Sequence, residues 1–460
     1  MVVSRDRDVR QAHARDASGL ELVPEGVARA ASVEDVSELV RDAGASGTAI
    51  TPAGSQTSMT GASITDRGLL LSLGQMNRIL DIDPERRVAR VDSGVTIGEL
   101  NRALAAEGLQ FAPDPTSEQD ASIGGAIACN ASGARSLHYG ATRRHVRGLK
   151  VVHADGEIAS YRRSHPEKNA VGYAAVQDPV DWFVGSEGTL GVVVEAELAL
   201  VPLPAAPVGL AIPFPDERAA LAFVVAARDR AASSASARMP LCLEYFDSQA
   251  TMIAAAAAGS KWGNDAAALV YLEDDAGADG EVEDLLSYWL GMSEEAGAVT
   301  ADIGVYQGAQ PLREARSVRH AVPATMNERG ALHRSEGGRK VSTDWAVPYQ
   351  RLPEALALSR DAVERHSAPE PVTYGHAGNG HPHQNFIAEN PEALRRIDAA
   401  IEETLRRVVE MGGIVSAEHG IGKLKRPWLA LQLAPRQIAL MHAVKNALDP
   451  TGMFAPGNLL

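Results

Sequence analysis

The stretch GHAGNGHPHQN, residues 375–385, carries His376, His381 and His383, three of the thirteen histidines in the chain. Imidazole nitrogens bind divalent ions. When a carboxylate joins two of them and a coordination position stays open, the set suits a catalytic zinc or manganese ion. His376 and His383 are seven apart, a spacing that aligns side chains on a helix, but Gly375, Gly378 and Gly380 disfavour a regular helix. The pair is therefore expected to bracket a turn. Taken alone, the stretch reads equally well as a polar surface loop.

Three further segments are rich in glycine and hydroxyl residues: TPAGSQTSMTGAS (51–63), PDPTSEQDASIGGAIACNASGARSLHYGATRRHV (113–146) and GSEGTLGVV (185–193). A strand that runs out into Gly, Ser and Thr presents successive backbone N–H groups and hydroxyls, a concave nest for phosphate oxygens. The second segment, with Gly124, Gly125, Gly133 and Gly140, is less charged than an ordinary surface loop and suits backbone lying against something flat or bulky. Any one of the three is more simply a turn. Together, and without the strand–GxGxxG–helix unit of a dinucleotide site, they indicate a large extended cofactor held by several loops.

The elements that must position these segments are visible in capping and periodicity. Ser32 with Asp35 forms a capping box ahead of Val36, Leu39 and Val40, predicting a helix that runs out at Gly44 and Gly47 before a strand TAIT (48–51). Strands LLLSL (69–73) and RVARV (87–91) follow, then a second capping box, Thr96 with Glu99, for a helix stopping at Gly108. A hairpin turned at Asp155-Gly156 and an alternating strand LGVVVEAELAL complete an α+β first region. The Pro-rich VPLPAAPVG (201–209) marks a boundary. Beyond it, helices are expected over 216–233, 281–297 and 390–413, the last with Asn390 as cap and Pro391 in its first turn, alternating with strand-like AALVYLED. IAAAAAG (253–259) reads as local bias.

A chain of 460 residues implies two or three domains. Two cysteines, Cys129 and Cys242, exclude a disulfide framework and a four-cysteine cluster on this chain. With 44 basic against 59 acidic residues the net charge is −15, which disfavours nucleic acid and anionic lipid as partners. No apolar run reaches the ~20 residues of a membrane helix, and the polar N-terminus lacks a signal-peptide core. A cytoplasmic location is expected, with any membrane contact peripheral and made through an electron acceptor.

In order along the chain, TPAGSQTSMTGAS, DPTSEQDASIGGAIACNASGARSLHYGATRRHVRGLKVV, GSEGTLGVV, GHAGNGHPHQN, SAEHGIGKLKR and NALDPTGMFAPGNLL resemble the FAD-linked 2-hydroxyacid dehydrogenases of the vanillyl-alcohol-oxidase superfamily. That group includes D-lactate dehydrogenase, the glycolate oxidase flavoprotein subunit and D-2-hydroxyglutarate dehydrogenase. The resemblance spans essentially the whole chain. It implies an α+β fold: a PCMH-type FAD-binding domain of two subdomains over 1–204, an α+β cap domain of the FAD-linked oxidase C-terminal type over 205–425, and a segment 426–460 returning to the FAD domain.

The resemblance also implies roles. FAD contacts would fall on Pro52, Ala53, Gly54, Ser55, Gln56, Thr57 and Ser58 in the first loop, where Ala53 and Gly-Ser-Gln depart from the family's usual residues. Pro113, Asp114, Thr116, Gly124, Gly125, Asn130, Ser132, Gly133 and Tyr139 match the second FAD stretch; Glu187, Gly188 and Val192 match the third, with Asn458 from the C-terminus. Its metal ligands fall on His376, His383 and Glu418, for zinc or manganese. Two positions depart from the usual GHxGDGNxH: they are Asn379 and His381 here, and His381 is either a rival ligand or a surface residue.

His419 corresponds to a general base, suited by an imidazole's ordinary pKa near ~6.5. Asn385, Arg316 and Arg319 correspond to substrate-binding residues, Arg316 aligning best; bidentate Arg is suited to a carboxylate. Each of these residues also has an ordinary alternative in capping, turn or surface chemistry. RKVSTDWAVP is closer to the D-lactate version, because Ser342 stands where the hydroxyglutarate version has a lysine two before Asp344, with Lys340 as a substitute cation.

The implied reaction oxidises a D-2-hydroxyacid, D-lactate-like, to the 2-oxoacid by proton transfer to His419 and hydride transfer to flavin N5. Its acceptor is a quinone, an electron-transferring flavoprotein or oxygen, and a homodimer is the expected assembly. Alternatives are a glycolate-oxidase-type subunit with an iron–sulfur partner, a D-2-hydroxyglutarate dehydrogenase, a flavin-free metallohydrolase using His376, His383 and Glu418, and a non-catalytic flavin-binding module.

Overall fold

A computed structural model describes residues 2–164, 167–173, 177–233, 238–258, 262–263, 266–278 and 281–460. The chain divides into two compact units. The first comprises 1–133, 140–203 and 418–460, the second 134–139 and 204–417. The first boundary falls inside the Pro-rich stretch. The return to the first unit starts at Glu418, within SAEHG.

Two sheets organise the first unit. A four-stranded sheet has the order Val3–Ser4, Gly26–Arg29, Leu69–Ser72, Ile50–Ala53, parallel except for its first pair. Helix Val33–Ser46 packs on it: Val36, Leu39, Val40 and Ala43 bury against Ile50, Leu69 and Leu71. Ser32 and Asp35 form the expected capping box, and Gly47 in the left-handed conformation ends the helix, which runs through Gly44. The strand expected at 48–51 is displaced to Ile50–Ala53. Pro52 can take part because this is the end strand of its sheet, where a missing N–H costs little.

The second sheet is antiparallel, in the order Ile79–Asp83, Val88–Asp92, Val192–Ala199, Val146–Val152, Ile158–Arg162. Its hairpin turns at Gly156, and helix Ile97–Leu104 carries the second capping box. At the C-terminal end, Phe454 is fully buried and bridges Ile50, so this segment belongs to the core of the four-stranded sheet.

The second unit is built on a seven-stranded antiparallel sheet in the order Gly304–Gln307, Pro207–Phe214, Ala268–Asp275, Cys242–Phe246, Val372–His376, His381–Ala388, Arg339–Ser342. The Ala-rich stretch is helix Ser248–Ala258; with helix Ala309–Ala331 it contributes to the core that buries Phe246, Tyr271 and Tyr374. Alanine lets a helix approach a sheet closely, so its bias there serves packing. The expected helices are observed as Glu217–Ala232, Val282–Glu295 and Pro391–Glu410, the last capped by the Asn390 side chain. Among the described residues no helix is long and apolar enough to cross a membrane.

Candidate active site

The histidine stretch is a hairpin. Strand Val372–His376 passes through a single 3-10 turn, Ala377–Asn379, into strand His381–Ala388, with His376 opposite His381 and Tyr374 opposite His383. Period two puts His381, His383 and Asn385 on one sheet face, and cross-strand pairing brings His376 to that face too. Two glycines make the turn possible. A Cβ at Gly380, φ +68°, would lie 1.9 Å from the Val347 carbonyl oxygen, and one at Gly375, φ +129°, 2.9 Å from His383 Cδ2.

The imidazoles lie together, with ring centroids 5.1 Å apart for His376 and His383, 5.4 Å for His376 and His381 and 4.5 Å for His381 and His383. One ring nitrogen of each lies within 4.8 Å of those of the other two. His376 and His381 are both 3% exposed, so neither a polar surface loop nor a surface role for His381 fits.

Carboxylates brace two of the rings. His376 Nδ1 is 2.6 Å from Glu244 Oε1, and His381 Nε2 is 3.0 Å from Asp344 Oδ1. Asp344 is fixed in turn, its Oδ2 accepting from Ser416 Oγ at 2.8 Å and its backbone carbonyl from Ala417 N at 2.7 Å. A histidine whose second nitrogen is held by a carboxylate has a set tautomer and a more basic remaining nitrogen, the usual arrangement around a bound ion. The donor set therefore fits a divalent metal of the zinc type.

Helix Ala309–Ala331 brings Arg316 and Arg319, one turn apart, onto buried glutamates of the same sheet. Arg319 Nε donates to Glu244 Oε2 at 2.7 Å. Arg316 Nε and Nη2 both donate to Glu273 at 2.7 Å, and Arg135 and the Tyr271 hydroxyl also donate to it, at 3.0 and 2.8 Å. Burial alone would raise the Glu244 carboxyl; Arg319 and His376 overcome it and hold the group at about 2. Burial is likewise outweighed at Glu273, by Arg316 and Arg135, which keep it at about 2. His320 is pushed down to about 4, by burial first and the Arg319 charge second, so it is neutral.

Asn385 is buried between neighbours: its Nδ2 donates to the Tyr374 hydroxyl at 2.8 Å, and its Oδ1 accepts from Ser342 Oγ. Lys340 donates to Asn327 Oδ1 at 2.6 Å, and burial lowers it to about 8.

In the first unit the three glycine-rich segments converge. A Cβ on Gly54 would lie 2.0 Å from Ser122 Oγ, one on Gly188 3.3 Å from Pro52 Cδ, and one on Gly133 2.1 Å from the Asp114 carbonyl oxygen. Gly185 N and Glu187 N donate to the carbonyls of Ile127 and Ala128, each at 2.9 Å. The Cβ distances at Gly54 and Gly133 mark close approaches that only glycine permits. The backbone N–H groups of Ser55, Gln56, Thr57 and Ser58 make no hydrogen bond among the described residues, and Gln56 adopts φ +55°. Such a run of free donors is what a pyrophosphate requires. Thr51 Oγ1 and Ser93 Oγ are also buried without a hydrogen-bond partner among the described residues. The first unit therefore fits an extended phosphate-bearing cofactor.

Several expected contact residues have structural employment as well. The Gln56 amide donates to the carbonyls of His13, Arg15 and Ser63, tying down the N-terminus. Asn130, φ +53°, ends helix Ile123–Cys129 and accepts from Arg143 N. Glu187 receives Ile421 N and Gly422 N at 2.6 and 2.7 Å, while burial raises its pKa. Asn458 donates to the carbonyls of Ala62 and Glu187 and accepts from Lys423. Val192 lies in the core and Pro52 and Ala53 end a strand. Ala112 and Pro113 are buried and Asp114 is half-buried, while Thr116 is exposed at the start of a turn, 116–120; Gly124 N donates to Ser93 O at 2.7 Å and Gly125 N to Ser122 Oγ at 3.2 Å. Ser132 Oγ donates to Glu418 Oε1 at 2.9 Å, and the His419 carbonyl accepts from Thr60 Oγ1. Tyr139 falls in the segment grouped with the second unit.

The fold and these sites define a flavin-dependent oxidoreductase. Residues 24–161 match the FAD binding domain model, and residues 203–459 match the model for FAD linked oxidases, C-terminal domain. A D-lactate dehydrogenase of Archaeoglobus fulgidus is 31% identical, covering 94% of this chain and 91% of its own. The glycolate oxidase subunit GlcD of Bacillus subtilis is 30% identical over 95% of this chain and 89% of its own. A D-2-hydroxyglutarate dehydrogenase of Xanthomonas citri is 31% identical over 95% and 89%. Among solved structures, p-cresol methylhydroxylase with substrate bound shares the fold, with TM-score 0.74 at 18% identity over 99% of this chain and 93% of that one.

The chain belongs to the FAD-linked oxidase family and is an FAD-linked oxidoreductase.

Proposed function

We propose that this protein oxidises a D-2-hydroxyacid, D-lactate-like, to the 2-oxoacid. The observation that carries the proposal is the braced imidazole cluster, a site for a cation that an α-hydroxyacid can chelate through its carboxylate and hydroxyl. His376 and His383 are the proposed metal ligands with Glu418 as the carboxylate, for zinc or manganese. A divalent ion held there supplies Lewis acidity that lowers the substrate hydroxyl pKa. His419 takes the hydroxyl proton. When bound, FAD supplies the acceptor for the hydride leaving the α-carbon. Pro52–Ser58 hold its pyrophosphate, and the segments 113–133 and 185–192 with Asn458 enclose the rest.

Arg316 is the better candidate for the substrate carboxylate. Its Nη1 makes no hydrogen bond among the described residues, whereas Arg319 is committed to Glu244. A small monocarboxylate is favoured over hydroxyglutarate because Ser342 carries no charge and Lys340, the substitute cation, is bonded to Asn327.

The test is anaerobic mixing of the purified FAD-bound protein with D- and L-lactate, glycolate and D-2-hydroxyglutarate while flavin absorbance is followed. Rapid bleaching by D-lactate is expected. Bleaching by hydroxyglutarate alone would replace the substrate, and no bleaching by any of them would end the proposal.

A further inference from the structure

We infer that His381 is a third imidazole ligand, turning the hairpin into a three-histidine site that selects zinc-like ions over manganese; this rests on the divalent-ion reading above. His381 stands where the resembled pattern has asparagine, so the property would be this chain's own.

Four observations carry it. His381 is 3% exposed, and an imidazole is rarely buried to that extent without a task. Its ring is 4.5 Å from that of His383 and 5.4 Å from that of His376, between centroids. His381 Nε2 is 3.0 Å from Asp344 Oδ1, and ligation would use Nδ1. Finally, Asp344 does for His381 what Glu244 does for His376: each sets a tautomer through the far ring nitrogen.

Two nitrogens bound to one ion at ~2.1 Å stand roughly 3.4 Å apart in a tetrahedral array. One ring nitrogen of each of the three histidines already lies within 4.8 Å of those of the other two, so such pairs close by at most about 1.4 Å. Ring rotation supplies that. Three neutral imidazoles suit zinc, cobalt and nickel. Manganese is better served by oxygen ligands and binds weakest in the divalent series. Adding a nitrogen to a two-histidine site therefore widens the gap between the two ions.

The variant His381→Asn tests ligation because it removes both ring nitrogens and leaves in their place the shorter amide that the resembled pattern has at this position. Full-length FAD-bound protein is stripped with chelator and titrated with zinc and with manganese. Flavin content and melting temperature serve as checks that H381N is folded, and cobalt substitution gives an optical spectrum. Zinc affinity of H381N is expected to fall at least about 100-fold, beyond the usual range for losing an outer-shell partner. Manganese affinity should change less than about threefold, and the cobalt bands should weaken as nitrogen is replaced by water. Unchanged zinc affinity in H381N, with His376→Ala abolishing it, would overturn the inference and leave the metal site standing. Failure of the unmodified protein to bind either ion would remove the metal reading itself and the inference with it.

Discussion

Glu244 Oε1 and His376 Nδ1 are 2.6 Å apart although 132 residues separate them in sequence. Glu244 lies on Cys242–Phe246, the middle strand of the seven, and His376 ends the next. One carboxylate thus orients an imidazole and neutralises Arg319 in a place that excludes water. Glu244→Gln should retain the fold but weaken zinc binding by about 10- to 100-fold, the scale of an outer-shell loss. Glu244→Ala should also destabilise the second unit by about 3–5 kcal/mol, because it removes the carboxylate to which the buried Arg319 guanidinium is bonded. Metal titration with urea denaturation distinguishes these effects, and zinc affinity unchanged in both variants would refute the orienting role.

Gly375 should tolerate no side chain. At φ +129°, an added methyl would sit 2.9 Å from His383 Cδ2 and 3.1 Å from His383 N, so Gly375→Ala combines backbone strain with a direct push on a ligand. The strain alone is about 1–3 kcal/mol. A lowered melting temperature and a loss of metal affinity should appear together. A stable variant that binds metal normally would show that the hairpin can shift at no cost.

Gly54→Ala tests the cofactor cradle. The added methyl would meet Ser122 Oγ at 2.0 Å and Ser122 Cβ at 3.0 Å, so loop 52–58 must lift from the start of helix Ile123–Cys129. The four N–H groups from Ser55 to Ser58 would then move out of their shared concavity. The purified variant should carry less than about a tenth of the flavin of the parent protein, read from the absorbance ratio, an effect of about 1.4 kcal/mol or more in binding. Full flavin occupancy would argue against this loop as the pyrophosphate site.

Much of this arrangement is legible in the amino-acid order. Ser32–Asp35 and Thr96–Glu99 announce their helices because capping is local chemistry, complete within four residues. The histidine turn is legible for the same reason: Gly375 and Gly380 occur where a tight reversal needs them. The partners of the functional side chains are not. CLEYF reads as one acid in an apolar strand, and only the sheet register decides that Glu244 meets His376 and not another group. Arg316 and Arg319 stand out as cations for substrate. Their glutamates, 43 and 75 residues earlier, lie on different strands and leave no periodic trace. Helix Ala309–Ala331 is also hard to read as a single element: Pro323 interrupts the usual signal, while burial of Leu312, Ala315, Val322 and Met326 maintains the helix.

His419→Ala should slow flavin reduction by about 10² to 10⁴ at saturating hydroxyacid, the usual scale of losing a general base. Flavin content should stay at that of the parent protein, and the His419 backbone carbonyl, which accepts from Thr60 Oγ1 at 3.2 Å, is retained in the variant. Stopped-flow reduction beside flavin stoichiometry reads both, and equal reduction rates would remove His419 from the base role.

Asp247 predicts a pH-dependent stability in the second unit. It follows strand Cys242–Phe246, and its carboxylate accepts from Ala250 N at 2.7 Å and Thr373 N at 2.6 Å, fastening that strand to Val372–His376. Burial raises it to about 6; the two N–H donors offset only part of that penalty. The folded value lies above the ordinary 3.8, so folding takes up a proton between the two. The resulting stabilisation is complete below about pH 4 and is lost as pH rises through about 6, a change of about 3 kcal/mol. Asp247→Asn cannot titrate. One backbone N–H then faces an amide, a cost that is the same at every pH, so the slope carries the test and the intercept does not. Urea midpoints for the two proteins, measured from pH 4 to 7, should show the parent losing stability relative to D247N as pH rises. Parallel curves would mean that the carboxylate stays ionised throughout, held by Ala250 and Thr373 despite its burial.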